Sequence, residues 1–363
     1  MLQKKRLLML PGDGVGPEIF SALKPVVAWL QSSMDLDVKE AVSGYNAYLA
    51  HGVTLPRDTL SLALDSDAVL FGAEDNEAFS TLHPAERPSS ALLELRQKLG
   101  VFANLRPVRI NPSLVSRSPL KPEIISGADF IVVRELLGGL YFGTPRGIET
   151  LPDGKRRGVD SLVYFSDEIE RVARVAFELA RSRRNKLCSV DKGNVLATGA
   201  LWRDVVSSLG RSEYPDVELS HMYVDNCAMQ LVRRPSQFDV IVTENTFGDI
   251  LSDCAAMIPG SIGMLPSASL SQQDESGRRR GLYEPIHGSA PDIAGKNLAN
   301  PIGTILSLAM ALEHSLGTPE LAKRLEQAVE EVLETGKRTS DLGGDGTSGT
   351  REMAQAIADR LQA

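Results

Sequence analysis

A chain of 363 residues with a formal net charge of −8 exceeds the size at which one hydrophobic core keeps growing, so two domains are expected. The acidic balance excludes phosphate-backbone binding as a main activity, because nucleic-acid affinity rests on clustered lysine and arginine, and the short run Arg278-Arg279-Arg280 follows Asp274-Glu275 as a solvated loop would. No apolar run is long enough to span a bilayer and no secretion-type segment opens the chain, while Cys188, Cys227 and Cys254 lack metal or redox spacing; a soluble protein of the reducing cytoplasm is expected, each cysteine a small buried residue.

In chain order, residues 6–10 read as a strand, and Ile19, Phe20, Leu23, Val26, Val27 and Leu30 share one helical face. Pro17 suits a first turn, whereas Pro25 falls inside the helical pattern and is expected to kink it. Residues 67–71 form the next strand. The middle third adds extended runs at 129–134 and 139–143, a long helix from about 166 to 183, and strands at 187–190 and 238–242. Helix returns after Asn300. This alternation predicts an α/β fold. The low-complexity stretch 267–280 reads as a mobile surface loop. Residues 150–164, charged and glycine-rich before turning apolar, read as a plain hairpin or as an arm reaching a second subunit.

Pro11-Gly12-Asp13-Gly14-Val15-Gly16-Pro17 sits between a strand and a helix, the setting of the dinucleotide fingerprint. Its third glycine comes one residue early and a proline follows, so a tight turn is expected rather than a Rossmann cofactor site.

Chemistry concentrates elsewhere. Asp249 and Asp253, in Phe247-Gly248-Asp249-Ile250-Leu251-Ser252-Asp253, stand four apart and therefore on one helix face. They are either a solvated helix start or half of a site for a hard divalent cation. Arg96, Arg106 and Arg134 each lie among apolar residues, where arginine needs partners. They form structural ion pairs or a clamp for a dianionic substrate, since guanidinium forks match carboxylates bidentately. Tyr141 and Lys192, near a cation and arginines, are candidate acid and base with both pKa values drawn toward working pH. Asp225 is a third aspartate at a strand end, or only a helix cap. The turn Glu284-Pro285-Ile286-His287-Gly288-Ser289-Ala290-Pro291-Asp292, followed by Asn300-Pro301, lets backbone amides approach a ligand closely. Asp292 there can bind both hydroxyls of an adenosine ribose and would repel a 2′-phosphate, which favours NAD over NADP.

Together these segments resemble the β-decarboxylating dehydrogenases, the family of isocitrate and 3-isopropylmalate dehydrogenases. The likeness covers nearly the whole chain, from Leu10-Pro11-Gly12-Asp13-Gly14 to Arg338-Thr339-Ser340-Asp341-Leu342-Gly343-Gly344. It implies a two-domain α/β fold, not a Rossmann fold, with a mixed sheet flanked by helices. Residues 1–101 and 259–363 would form the large domain with most NAD contacts, and 102–258 the small domain with the dimer interface, an arm at about 150–165 and the metal aspartates. The resemblance assigns Arg96, Arg106 and Arg134 to the substrate carboxylates and Asp225, Asp249 and Asp253 to Mg²⁺ or Mn²⁺. Glu284, His287, Gly288, Ser289, Ala290, Asp292, Ile293 and Asn300 would bind NAD. Lys192 and Asp225 would reach the site of a neighbouring subunit, making the active unit a homodimer. Lys192, through water or Asp225, would take the hydroxyl proton, and Tyr141 would protonate the enol carbon.

In this family the segment ahead of the first arginine faces the substrate's variable group, so Leu92 and Leu93 would form its wall with Val195 opposite. Burying an isopropyl group there is favourable by about 2 kcal/mol, while an isocitrate carboxylate would lose hydration without a partner. The expected reaction is NAD-dependent oxidative decarboxylation of 3-isopropylmalate to 4-methyl-2-oxopentanoate in leucine biosynthesis. Tartrate, malate or homoisocitrate are rival substrates, and a dicarboxylate-binding protein without hydride transfer is the rival class. Two departures stand out. Where relatives have a Gly-Gly-Pro or Gly-Asp-Pro turn near the nicotinamide, this chain reads Glu74-Asp75-Asn76-Glu77; and where relatives place a glutamate shortly before the paired leucines, the candidate here is Glu86, at a shifted position.

Overall fold

The computed structural model describes residues 4–82, 86–275, 277–343 and 347–362. Gly344, the last residue of the C-terminal motif, lies outside them. The chain separates into two compact units, one of Met1–Val101, Ile110–Pro122 and Ala256–Ala363 and the other of Phe102–Arg109 and Glu123–Ala255. The segment Ile110–Pro122 thus groups with both termini rather than with the middle of the chain. The strands among the described residues are β1 (Lys5–Gly12), β2 (Leu36–Glu40), β3 (Ala68–Ala73), β4 (Ala103–Arg109), β5 (Asp129–Glu135), β6 (Gly147–Thr150), β7 (Arg156–Val159), β8 (Lys186–Asp191), β9 (Glu218–Tyr223), β10 (Val240–Thr243), β11 (Pro266–Leu270) and β12 (Gly281–Pro285).

In the first unit the strand order is β2-β1-β3-β12-β11, parallel except for the antiparallel pair β11 and β12. Leu7 to Leu10 and Ala68 to Phe71 are buried without alternation, as strands covered on both faces must be. The apolar face from Ile19 to Leu30 is buried throughout. At Pro25 the pattern breaks rather than bends: helices Gly16–Ala22 and Lys24–Ser33 meet at Leu23, and the proline occupies the first turn of the second, where its missing N–H is not needed. The stretch 267–280 is not wholly a surface loop. Its first residues are the buried strand β11, because small serines let it pack beneath the apolar helix Ile302–His314. Residues 271–275 and 277–280 are the connecting loop, and Ser276 lies outside the described residues.

In the second unit the order is β4-β5-β10-β8-β9, with only β4 and β5 antiparallel. Helix Ser166–Arg181 lays Ile169, Val172, Ala173, Ala176, Phe177 and Ala180 against β5, β8 and β10. Residues 139–143 are no strand. Gly139, at φ +77°, starts a single helical turn through Tyr141, and a Cβ added there would lie 2.7 Å from the Tyr164 hydroxyl. Residues 150–164 begin in the exposed hairpin of β6 and β7. Cys188 and Cys227 are buried, but Cys254 is exposed, since its helix turns that face outward. Both units are α/β with mixed sheets and flanking helices, and among the described residues no helix is long and apolar enough to cross a membrane.

Candidate functional site

Helix Asn245–Ala255 leaves β10 through Glu244, whose buried carboxylate accepts the amides of Thr246 (3.0 Å) and Phe247 (2.8 Å) and so closes the first turn. Gly248 lets this helix lie directly on Arg134: a Cβ there would come within 2.6 Å of Arg134 Cγ. The result is a dense cluster. Arg134, buried on β5, pairs with Asp249. Arg106, buried on the adjacent β4, donates to Asp253 Oδ1 (3.2 Å) and Ser252 Oγ (2.7 Å) and stands 3.4 Å from Asp249 Oδ1. Tyr141 donates its hydroxyl to Asp249 Oδ2 at 2.9 Å, and the Arg134 guanidinium lies 5.7 Å from its ring centre.

The carboxylates are not sealed in. The Asp249 side chain is 33% exposed and that of Asp253 54%. Two hard carboxylates on one open helix face, with guanidinium groups behind them, are donors of the type Mg²⁺ or Mn²⁺ takes. Burial is the main cause raising the Asp253 pKa, opposed by Arg106. Burial and then Asp249 also raise the Tyr141 pKa, against the expected fall, because the arginine nearby does not outweigh the carboxylate that the phenol faces. Tyr141 therefore keeps its proton at neutral pH.

Lys192 and Asp225 are engaged with each other. The lysine donates to Asp225 Oδ2 at 2.9 Å, and this ion pair holds the Asp225 pKa below its ordinary value. Among the described residues no group of three His, Cys, Asp or Glu is gathered as a metal site within the chain, so Asp225 is not brought together with Asp249 and Asp253. Val195, in the turn after Lys192, is 70% exposed.

In the first unit Arg96 is buried on helix Ala91–Leu99 and pairs at 2.7 Å with Glu284, one of the residues expected to contact the cofactor. Leu92 and Leu93 are half-buried in the first turn of the same helix. That turn is held by Glu74, which accepts from Ser90 Oγ and from the amides of Ala91 (2.7 Å) and Leu92 (3.5 Å). Glu86 is exposed. The unusual 74–77 turn thus supplies a half-buried carboxylate to a helix N-terminus, the end that attracts negative charge. Burial raises the Glu74 pKa. The departure at 74 was visible in the sequence, but its partner sixteen residues later was not.

The loop after β12 packs on the glycine turn: Val15 donates its amide to Ser289 O at 2.9 Å. His287 has a buried Nε2 without a hydrogen-bond partner among the described residues, and burial lowers its pKa, so the ring is neutral at neutral pH. Gly288 has open space around its α-carbon, Ile293 is half-buried and Asp292 is exposed. Ala290 is held at φ +41°. Asn300 is buried and donates to Asp341 Oδ2 at 3.0 Å. A ring nitrogen left unpaired among the described residues, next in sequence to a glycine with open space and followed by an exposed carboxylate at Asp292, is a donor set that suits an adenosine.

The family model described as isocitrate/isopropylmalate dehydrogenase matches residues 6–357. A 3-isopropylmalate dehydrogenase of Paramagnetospirillum magneticum is 52% identical over 361 residues, 98% of each chain. One of Methylococcus capsulatus is 52% identical over 99% of each. The crystal structure of isocitrate dehydrogenase from Methylococcus capsulatus superposes with a TM-score of 0.87 at 34% identity, covering 99% of this chain and 100% of that one. Within that one organism, the chain is more similar to the isopropylmalate enzyme than to the isocitrate enzyme.

Proposed function

The chain belongs to the isocitrate/isopropylmalate dehydrogenase family, and from that premise we propose that it oxidises and decarboxylates 3-isopropylmalate to 4-methyl-2-oxopentanoate and carbon dioxide in leucine biosynthesis. NAD is the acceptor and Mg²⁺ or Mn²⁺ the cation. The observation that carries this reading is the convergence of Arg106, Arg134 and Tyr141 on Asp249 beside Asp253. Arg96, Arg106 and Arg134 bind the two substrate carboxylates. Leu92 and Leu93, with Val195, receive the isopropyl group, whose burial is favourable by about 2 kcal/mol.

Asp249 and Asp253, with Asp225 of a second copy, would hold the cation. When bound, the cation supplies Lewis-acid polarisation of the substrate oxygens, and NAD accepts the hydride. Lys192, through water or Asp225, takes the proton from the C2 hydroxyl. Tyr141 delivers a proton to C3 once carbon dioxide has left, a role suited to a phenol that stays protonated. Glu284, His287, Gly288, Ser289, Ala290, Asp292, Ile293 and Asn300 form the NAD side, where the exposed Asp292 carboxylate favours free ribose hydroxyls over a 2′-phosphate.

A homodimer is part of the reading. Met229, Val232 and Ile250 are large, exposed and apolar on two packed helices of the second unit, Val224–Arg233 and Asn245–Ala255, a surface that a second copy would cover. The test is NADH appearance with Mn²⁺ and a panel of 3-isopropylmalate, isocitrate, malate and tartrate. The isopropyl substrate should give the highest kcat/KM, and equal rates with malate would reject the assignment. Tyr141→Phe should lower turnover far more than NAD affinity; unchanged turnover removes it from the chemistry.

A further inference from the structure

Asn245 opens the helix that carries Asp249 and Asp253, and its side chain is spent entirely on neighbours of the site. Oδ1 accepts two hydrogen bonds from Arg134, from Nε at 2.9 Å and from Nη2 at 2.7 Å. Nδ2 donates to the carbonyls of Leu136 (3.2 Å) and Gly138 (2.9 Å). Its backbone amide donates to the Tyr164 hydroxyl at 2.9 Å. Asn245 and Arg134 are both essentially inaccessible to solvent. Only a short amide can face a guanidinium with an acceptor and two carbonyls with donors at once: a carboxylate lacks the donors and an aliphatic chain lacks both.

The consequence lies in what those bonds join. Arg134 leaves its remaining nitrogen, Nη1, for Asp249. Leu136 and Gly138 lead into the Gly139–Tyr141 turn, whose tyrosine hydroxyl also reaches Asp249. We propose that Asn245 is a positioning residue that fixes Arg134 and the Tyr141 turn relative to each other, so that carboxylate binding and proton delivery share one anchor. The proposal rests on the assignment of Arg134 to the substrate and Tyr141 to the proton. The amide's two ends separate the two tasks. The acceptor end governs the arginine, and the donor end governs the turn.

Asn245→Asp keeps the acceptor and removes the donors, whereas Asn245→Ala removes both. In the full chain with Mn²⁺ and NAD, N245D should hold KM for 3-isopropylmalate within about threefold and lower kcat by about tenfold to a hundredfold, the scale of a small misplacement of a reacting group. N245A should raise KM and lower kcat together. Hydrogen exchange on N245A reports the anchor without turnover: the Phe142 and Gly143 amides, which bond to Gly139 O, should lose protection while those of β5 keep theirs. If N245D and N245A alter KM and kcat in the same ratio, or the turn keeps its protection in N245A, Asn245 is merely structural and the proposal fails. Arg134→Lys and Tyr141→Phe are assayed alongside. If neither changes KM or kcat, the failure belongs to the assignment of the site and not to Asn245.

Discussion

Gly14→Ala probes the contact between the glycine turn and the loop after β12. Gly14 sits at φ +55°, and an added Cβ would lie 1.9 Å from Ser289 O. The left-handed backbone costs an alanine about 1–2 kcal/mol. Relieving the overlap requires a shift of at least about 1 Å, which breaks the Val15 to Ser289 hydrogen bond, worth about 1 kcal/mol net. Binding NAD on that loop would then work against about 1–3 kcal/mol, so KM for NAD should rise roughly fivefold to a hundredfold. KM for 3-isopropylmalate at saturating NAD should stay within a small factor. Gly52→Ala is the control, because Gly52 has φ +73° but nothing within 4 Å of an added Cβ. It should lose stability without any effect on NAD. Initial rates over an NAD series, with urea unfolding of each variant, make the comparison. A folded Gly14→Ala protein with an unchanged KM for NAD would refute the argument.

Leu93→Ala should lower kcat/KM for 3-isopropylmalate roughly tenfold, about 1–2 kcal/mol of lost apolar contact, and leave malate unaffected; equal losses on both substrates would mean the leucine does not face the isopropyl group. Glu74→Gln should lower the urea midpoint by the equivalent of about 1–2 kcal/mol, because the amide cannot accept at every N–H that the carboxylate serves; an unshifted midpoint would show that the helix start holds without it. Burial raises the pKa of both Glu135 and Glu244 above the ordinary 4.5. The folded state then holds protons that the unfolded state has released, so this pair's contribution to stability should fall as pH rises from about 4.5 toward neutrality. Midpoints measured across that range should decline less steeply in the Glu135→Gln, Glu244→Gln double variant, and an unchanged slope would contradict the raised values.

Much of the fold was legible because its signals are local. The apolar face from Ile19 to Leu30 and the continuous runs of β1 and β3 need only periodicity to be read. Residues 139–143 look extended in the sequence, whereas the backbone turns at Gly139 and packs beside Tyr164, which is distant in sequence. Strand β11 is hidden in the sequence because its serines look polar until an apolar helix is placed over them. At the site, the arginines and aspartates read from the sequence as candidates for ion pairs or for ligand chemistry, and the geometry brings Arg106, Arg134, Asp249 and Asp253 together as ion pairs. What spacing along a chain cannot reveal is which partner each side chain takes. Glu74 closing a helix at Ala91 and Asn245 joining Arg134 to Gly138 are both contacts between distant segments.

The Lys192–Asp225 pair, closed at 2.9 Å within a single chain, bears on mixed assemblies. If each site draws this pair from the neighbouring copy, a subunit lacking Lys192 still carries a sound arginine and aspartate cluster, and a subunit lacking Asp249 still carries a sound base. Neither would work in a dimer of its own kind. Refolded together, they would form hybrids in which one of the two sites is whole, and two inactive preparations would complement each other.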